Sequence, residues 1–316
     1  MATRYLRRMP LLNEKGLTVL GNLLREEEVG LTPGKLRDLE ERVDATQKRN
    51  RVPPQQRAAF EKQIEEYWGG KSLPPHDVAL GMLRVMMHRY DVRRGPAVAS
   101  LFSEEEEENN EPSIAVAANA SVYEAAIFQL FHEYDRPYYY GIDNLCDASS
   151  ENAELFLRLA ADLVEAVATQ LARSKPPSLT PSTQHKLLRE RGARIMEKWD
   201  YPQESAVRRV VHRIAELCLR KSLEPNGAVI ANAFGIPQAE FDTLAHSASE
   251  TARTLQFAVA YNAITLVPNH SCKNKEWCLL ELGGVALLKF GLTLKRGGFI
   301  EGNAALLGEF TKETSE

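Results

Sequence analysis

Three short constellations in this chain carry residue types that could do chemistry. The first is Gly70-Lys71-Ser72. Gly-Lys-Ser ends the phosphate-binding loop G-x-x-x-x-G-K-[ST], whose backbone N–H groups cradle phosphates while the lysine reaches them. Here Glu65 stands where the first glycine belongs, and Gln63 to Trp68 read as helix rather than buried strand. Pro74 and Pro75 follow where a helix must run, and proline breaks a helix of this kind. The stretch therefore reads as a connecting loop. A run of apolar strand residues ending in Asp-Glu, which would hold Mg²⁺ beside such a loop, is also missing from the sequence. The second constellation is His270, Cys272 and Cys278. Its spacing, H-x-C-x₅-C, offers three ligands without the Cys-x₂-Cys knuckle of structural zinc sites. Cys278 lies among Trp277, Leu279 and Leu280, so it reads as a buried free thiol, and no metal is expected. A thiol nucleophile would need a neighbouring base and an electropositive pocket, which the spacing does not supply. The third is basic: Lys273, Lys275, Lys295 and Arg296, with Arg208, Arg209 and Arg213 as a second set. Such side chains can neutralise nucleic-acid phosphates, releasing counterions and steepening the salt dependence of binding. Gly297-Gly298 would let backbone approach a phosphate closely. A solvated basic face on a domain that packs against another protein is the competing reading.

Bulk properties narrow the classes. A chain of 316 residues allows two or three domains and an ample core. Apolar residues at 44% and charged residues at 26% are ordinary for a globular protein. The formal net charge of −4 excludes a uniformly basic coat but not a local patch. The four cysteines are sparse and irregular, which suggests free thiols in a reducing compartment. No apolar run approaches the ~20 residues that span a bilayer. The N-terminus lacks the apolar core of a secretory signal. A cytoplasmic protein without a membrane role is expected.

The elements that must position these residues are mostly helical. Residues 14–28, 33–49 and 54–68 read as three helices, with Pro33 and Pro54 suited to first turns. The pair over 33–68 is so polar that a hairpin projecting from a body is expected, either a bare insertion or a partner-binding arm. His76–Tyr90 sets Val78, Leu83, Val85 and Met86 near one stripe, fit for a core. Glu104–Glu108 is a block of five acids, so 103–112 reads as an exposed loop. A buried helix is expected from about Ser113 to His132. A further helix should open at Ser149 or Ser150, whose hydroxyl can cap the first turn, and pack through Leu155, Leu159, Leu163 and Val167. Ser174–Pro181 reads as a linker. Beyond it, 182–198 and 203–222 read as helices. Lys186 to Lys221 holds ten Lys/Arg against five acids, a local +5. Residues 227–236 are too small and apolar to be exposed. Helices over 238–248 and 252–262 follow. Then come a strand (264–267), a basic turn, a helix (276–290, bent at Gly283-Gly284), and strands at 292–295 and 299–300 about Arg296-Gly297-Gly298.

Two tracts carry a family resemblance. Tyr138–Val167, YYYGIDNLCDASSENAELFLRLAADLVEAV, is an aromatic approach, a polar turn and an amphipathic helix. It resembles the lid of AAA+ ATPases of the origin-recognition type, where Ser-x-Gly-Asn-x-Arg opens a helix beside the nucleotide. Tyr261–Glu301, YNAITLVPNHSCKNKEWCLLELGGVALLKFGLTLKRGGFIE, looks like the winged-helix-like domain that follows the lid in that group. The resemblance implies contacts to DNA from a helix and a wing. Asn152 matches the Asn of the lid run. Glu151 replaces its Gly, and Glu154 replaces the Arg that reaches toward phosphates. An acid there repels phosphate. In an offset alignment Arg158, one turn on, takes that place.

The resulting expectation is a mainly α protein in two parts. Residues 1–175 form a helical body with an AAA+ lid-like bundle. Residues 181–316 form a winged-helix-like α+β C-terminal domain. Three functions compete: a non-catalytic DNA- or protein-binding module, a fragment or split subunit of an ATP-hydrolysing AAA+/STAND switch whose P-loop lies elsewhere, and a helical scaffold. No catalytic motif is expected within the chain. ATP and Mg²⁺ would enter only with a P-loop partner.

Overall fold

The computed structural model describes residues 2–27, 29–69, 75–94 and 116–312. Gly70-Lys71-Ser72, the acidic block and the start of the helix expected from Ser113 lie outside the described residues. The helices are α1 (Ala2–Leu6), α2 (Pro10–Asn13), α3 (Pro33–Arg49), α4 (Pro54–Tyr67), α5 (His76–Arg94), α6 (Ala120–Tyr134), α7 (Gly141–Ala148), α8 (Ala153–Ala172), α9 (Pro181–Glu197), α10 (Glu204–Ser222), α11 (Gln238–Ala245), α12 (Glu250–Ala260), α13 (Gly284–Phe290) and α14 (Ala304–Thr311). The strands are β1 (Ala233–Pro237), β2 (Ile264–Cys272), β3 (Lys275–Leu282) and β4 (Phe299–Glu301). The protein is thus mainly helical, with a small sheet in its C-terminal part.

The chain forms two compact units, one from Met1–Val29, Pro137–Lys221 and Val229–Glu316, the other from Gly30–Arg136 and Ser222–Ala228. The linker-like 174–181 segment runs inside the first unit rather than between units.

The second unit is a helical bundle centred on α5, which packs against α3, α4 and α6. Helix α5 is buried on nearly every side, from Asp77 and Val78 to Met87 and Tyr90. That corrects the expectation of a single stripe: neighbours cover it all round. Helices α3 and α4 do not project as an arm. Leu39, Val43, Phe60 and Ile64 are at most 2% exposed, so the apolar residues of these two polar helices face the bundle. Asp77 is buried, and its carboxylate accepts from Arg136 Nε at 3.0 Å and from the backbone of Leu31 and Val78. Helix α6 starts later than expected, because Asn119 caps it by accepting from Val122 N.

In the first unit the sheet order is β2-β3-β1-β4, antiparallel except for the β1–β4 pair. Three sequence expectations fail here. Of the helix expected over 14–28, the described residues 14–27 form only the 3₁₀ turn Leu20–Leu23. Residues 275–282 are a strand, not the first half of a helix, and helix begins only at Gly284. Residues 292–295 are not a strand, so the expected wing does not form. Asn232 instead ties that segment down: its Nδ2 donates to Thr293 O at 3.3 Å and Lys295 O at 3.1 Å, and its backbone N donates to Gly298 O. A Cβ on Gly298 would sit 1.8 Å from Ile230 O, so close packing against Ile230 leaves no room for a side chain there.

The lid-like helix α8 is capped by Asn152, which accepts from Leu155 N at 3.1 Å, not by a serine. Ser149 and Ser150 end the preceding helix, with Ser150 and Glu151 at positive φ. Leu155, Leu159, Leu163 and Val167 are buried as the spacing predicts. The fully buried Gln184 fixes the start of α9. Its amide donates to Arg25 O and Leu179 O and accepts from Gly141 N, each at 2.8 Å.

Candidate nucleic-acid interface

The basic residues singled out by sequence fall into three environments, all in the first unit. Lys273 and Lys275 stand at the tip of the β2–β3 hairpin, where Cys272 pairs with Lys275 across a two-residue turn. Lys273 and Asn274 take φ of 51° and 59°, the backbone of a type I′ turn, which matches the strand twist. Asn tolerates that region readily. Both lysines are exposed, and Lys273 Nζ pairs with Glu301 at 2.9 Å.

Arg296 is engaged by two carboxylates, Glu151 at 3.0 Å and Glu281 at 3.6 Å. Burial pushes the Glu281 carboxyl up, with Arg296 and His270 opposing. Lys295 is exposed beside it, its backbone N donating to Thr293 Oγ1.

The second set is engaged within the chain. Arg208 donates to Met196 O and Trp199 O, pairs with Glu204 and lies over the Trp199 ring. Arg209 donates twice to Thr311 O, closing the C-terminal end of α14. Arg213 pairs with Glu216 at 3.2 Å. The carbonyls that α9 and α14 leave open at their ends thus occupy the guanidiniums of Arg208 and Arg209.

The lid positions meet in one place. Asn152, Glu154 and Arg158 line a cleft of ≈ 760 Å³ with the C-terminal half of α9 and the end of α12. Glu154 and Arg158 pair along α8 at 2.7 Å. Arg191, Arg194 and Lys198 complete a cationic wall. Arg191 and Arg194 share one carboxylate, Asp162. Tyr201 and Tyr261 line the same cleft and stack with centroids 4.1 Å apart and planes 6° from parallel. Burial raises the Tyr201 hydroxyl pKa, so the phenol stays neutral. Sequence reading counted Arg191, Arg194 and Lys198 in a basic stretch without singling them out, and it missed both tyrosines. The available signal was an aromatic pair, Trp199 and Tyr201, directly after a basic helix.

His270, Cys272 and Cys278 do not converge. Cys272 packs with Trp277 and Leu279 on one sheet face, and strand alternation puts Cys278 on the other. Burial holds the Cys278 thiol up at about 11 and the Cys218 thiol at about 12, so neither is a thiolate at neutral pH. No group of three or more metal-binding side chains occurs among the described residues. Among them too, no helix is long and apolar enough to cross a membrane.

A sequence model of the ORC-CDC6-like family matches residues 54–284, most of the chain, and the protein belongs to that family. The match spans both compact units, including the lid-like helix and three of the four strands. It relates the chain to the AAA+ origin-recognition proteins. No curated protein and no solved structure matches it.

Proposed function

We propose that this chain is a non-catalytic nucleic-acid-binding member of the ORC-CDC6-like family, and that it holds duplex DNA through the phosphate backbone with the β2–β3 hairpin. The observation that carries the reading is the pair of exposed lysines on a tight, conformationally defined tip. A rigid turn bearing two cations can enter a groove or lie along a backbone with little ordering cost. Glu154 at the place of the lid arginine supports the absence of nucleotide sensing, because a carboxylate there repels phosphate. ATP and Mg²⁺ belong to this reading only where a P-loop core, supplied elsewhere, meets the lid. Four free cysteines favour a reducing, cytoplasmic setting.

The test is duplex affinity as a function of salt. The reversal Lys273→Glu with Lys275→Glu should weaken binding and make the slope of log K against log salt shallower by about 2, one for each lost phosphate contact. Thermal stability should hardly change, since both side chains are exposed. A wild-type protein without duplex affinity at low salt would end the reading, and an unchanged slope would remove the hairpin from it.

A further inference from the structure

The α8–α9–α12 cleft combines features that a merely solvated basic face does not need. Its volume, ≈ 760 Å³, falls within the ~300–1,000 Å³ usual for ligand sites. Four cations, Arg158, Arg191, Arg194 and Lys198, face three carboxylates, Glu154, Asp162 and Asp200, a net of +1 inside a protein of net −4. Two hydrogen-bonding atoms on its lining residues, Arg191 Nε and Tyr201 Oη, are buried with no partner among the described residues. Both tyrosines line the same cleft, and Tyr261, stacked on Tyr201 and with Phe257 6.4 Å away, remains 48% exposed.

We infer that this cleft binds nucleotide units of a single-stranded nucleic acid, with a base stacked on the Tyr201–Tyr261 pair and the adjoining phosphates held by Arg194 and Lys198. The combination of ring face and cationic wall decides the ligand class. An acidic peptide would use the cations and leave the rings idle. A duplex keeps its base faces within its own stack, so it could meet the wall but not the tyrosines. A single strand uses both. Asp162 sets the geometry by holding Arg191 and Arg194 side by side on one carboxylate. The inference is independent of the hairpin reading, since the cleft shares no residue with the tip.

The experiment is fluorescence anisotropy of the full chain with a labelled oligothymidylate. An unlabelled abasic oligonucleotide and thymidine monophosphate serve as competitors. Oligothymidylate should bind, and the abasic strand should compete at least about tenfold more weakly, because base–aromatic stacking is lost. Tyr261→Ala should weaken binding about tenfold or more, and Tyr261→Phe should restore it. Lys198→Glu should weaken binding and make the salt slope shallower by about 0.7. Lys273→Glu with Lys275→Glu should weaken duplex affinity by a larger factor than oligothymidylate affinity, which separates this site from the duplex reading. Competition by thymidine monophosphate as potent as that of the strand, per nucleotide, would assign the same base-and-phosphate chemistry to a free nucleotide. No oligothymidylate binding at low salt, equal competition by the abasic strand, or a Tyr261→Ala protein with unchanged circular dichroism and unchanged affinity would each overturn the inference.

Discussion

The side chains that decide most here are polar ones drawn out of water, and the half-buried His88 on α5 shows what burial does to a titratable group. Its Nδ1 lies 3.2 Å from Asn50 Nδ2, which also donates to Met87 O. An amide nitrogen can only donate, so the imidazole must accept and stay neutral. Burial, then the neighbouring Arg84 and Arg49, lowers its pKa from 6.5 to about 4. The unfolded chain therefore binds a proton at a pH where the folded chain refuses it. Stability from this group is fully present above about pH 6.5 and is lost as pH falls toward about 4. Melting temperature should drop across that window, and His88→Gln, which keeps an acceptor but cannot titrate, should drop less. Equal drops for both proteins would show that other groups set the acid limb. Nothing in the sequence distinguishes this histidine from the other six, because its partner Asn50 is 38 residues away.

Elements were legible in proportion to how one-sided their burial is. Helices α3, α4, α8, α9 and α10 have charged faces opposite apolar ones, so their 3.6-residue period is plain and their limits were read nearly correctly. Strand β3 was misread because Trp277 to Leu282 are all buried, on both faces of the sheet. A strand covered twice loses its alternation and looks like a buried helix. The following Gly283-Gly284 and a truly helical 284–290 then extended the error. The cleft was only half legible. Its cations lie in a visibly basic stretch, but the tyrosine pair joins residues 201 and 261, which only the folded chain brings together. Close approach between elements is equally invisible, and Gly192 illustrates its weight. In the middle of α9, alanine should gain about 1 kcal/mol over glycine through backbone entropy. A Cβ there would lie 2.7 Å from Leu288 Cβ and 3.1 Å from Val285 O on α13. Neither contact is the far end of a flexible chain, so α9 and α13 must separate. Overpacking of this kind costs about 1–3 kcal/mol and outweighs the helical gain. Gly192→Ala should lower the unfolding free energy by denaturant titration, and a more stable variant would mean that the helices yield freely.

On the scale of the whole molecule, two separate cores imply two cooperative units joined by chain crossings at residues 29–30, 136–137, 221–222 and 228–229. Each has its own buried polar anchor: Gln184 in the first, the Asp77–Arg136 pair in the second, both partners of that pair 2% exposed. A buried ion pair contributes little over an apolar substitute, yet breaking it leaves a charge without compensation and costs about 3–5 kcal/mol. Asp77→Ala removes the acceptor of Arg136 Nε and of two backbone N–H groups at once. That loss belongs to the bundle of α3 to α6. The sheet, α8 and α9 use none of those contacts. Backbone amide hydrogen exchange should therefore accelerate in α3 to α6 of the Asp77→Ala protein while protection in β1, β3 and α9 stays near wild type. If protection falls equally everywhere, the two units unfold as one. A selective loss would mean that the nucleic-acid surfaces proposed above, which lie wholly in the first unit, can be altered and assayed without disturbing the α5-centred bundle.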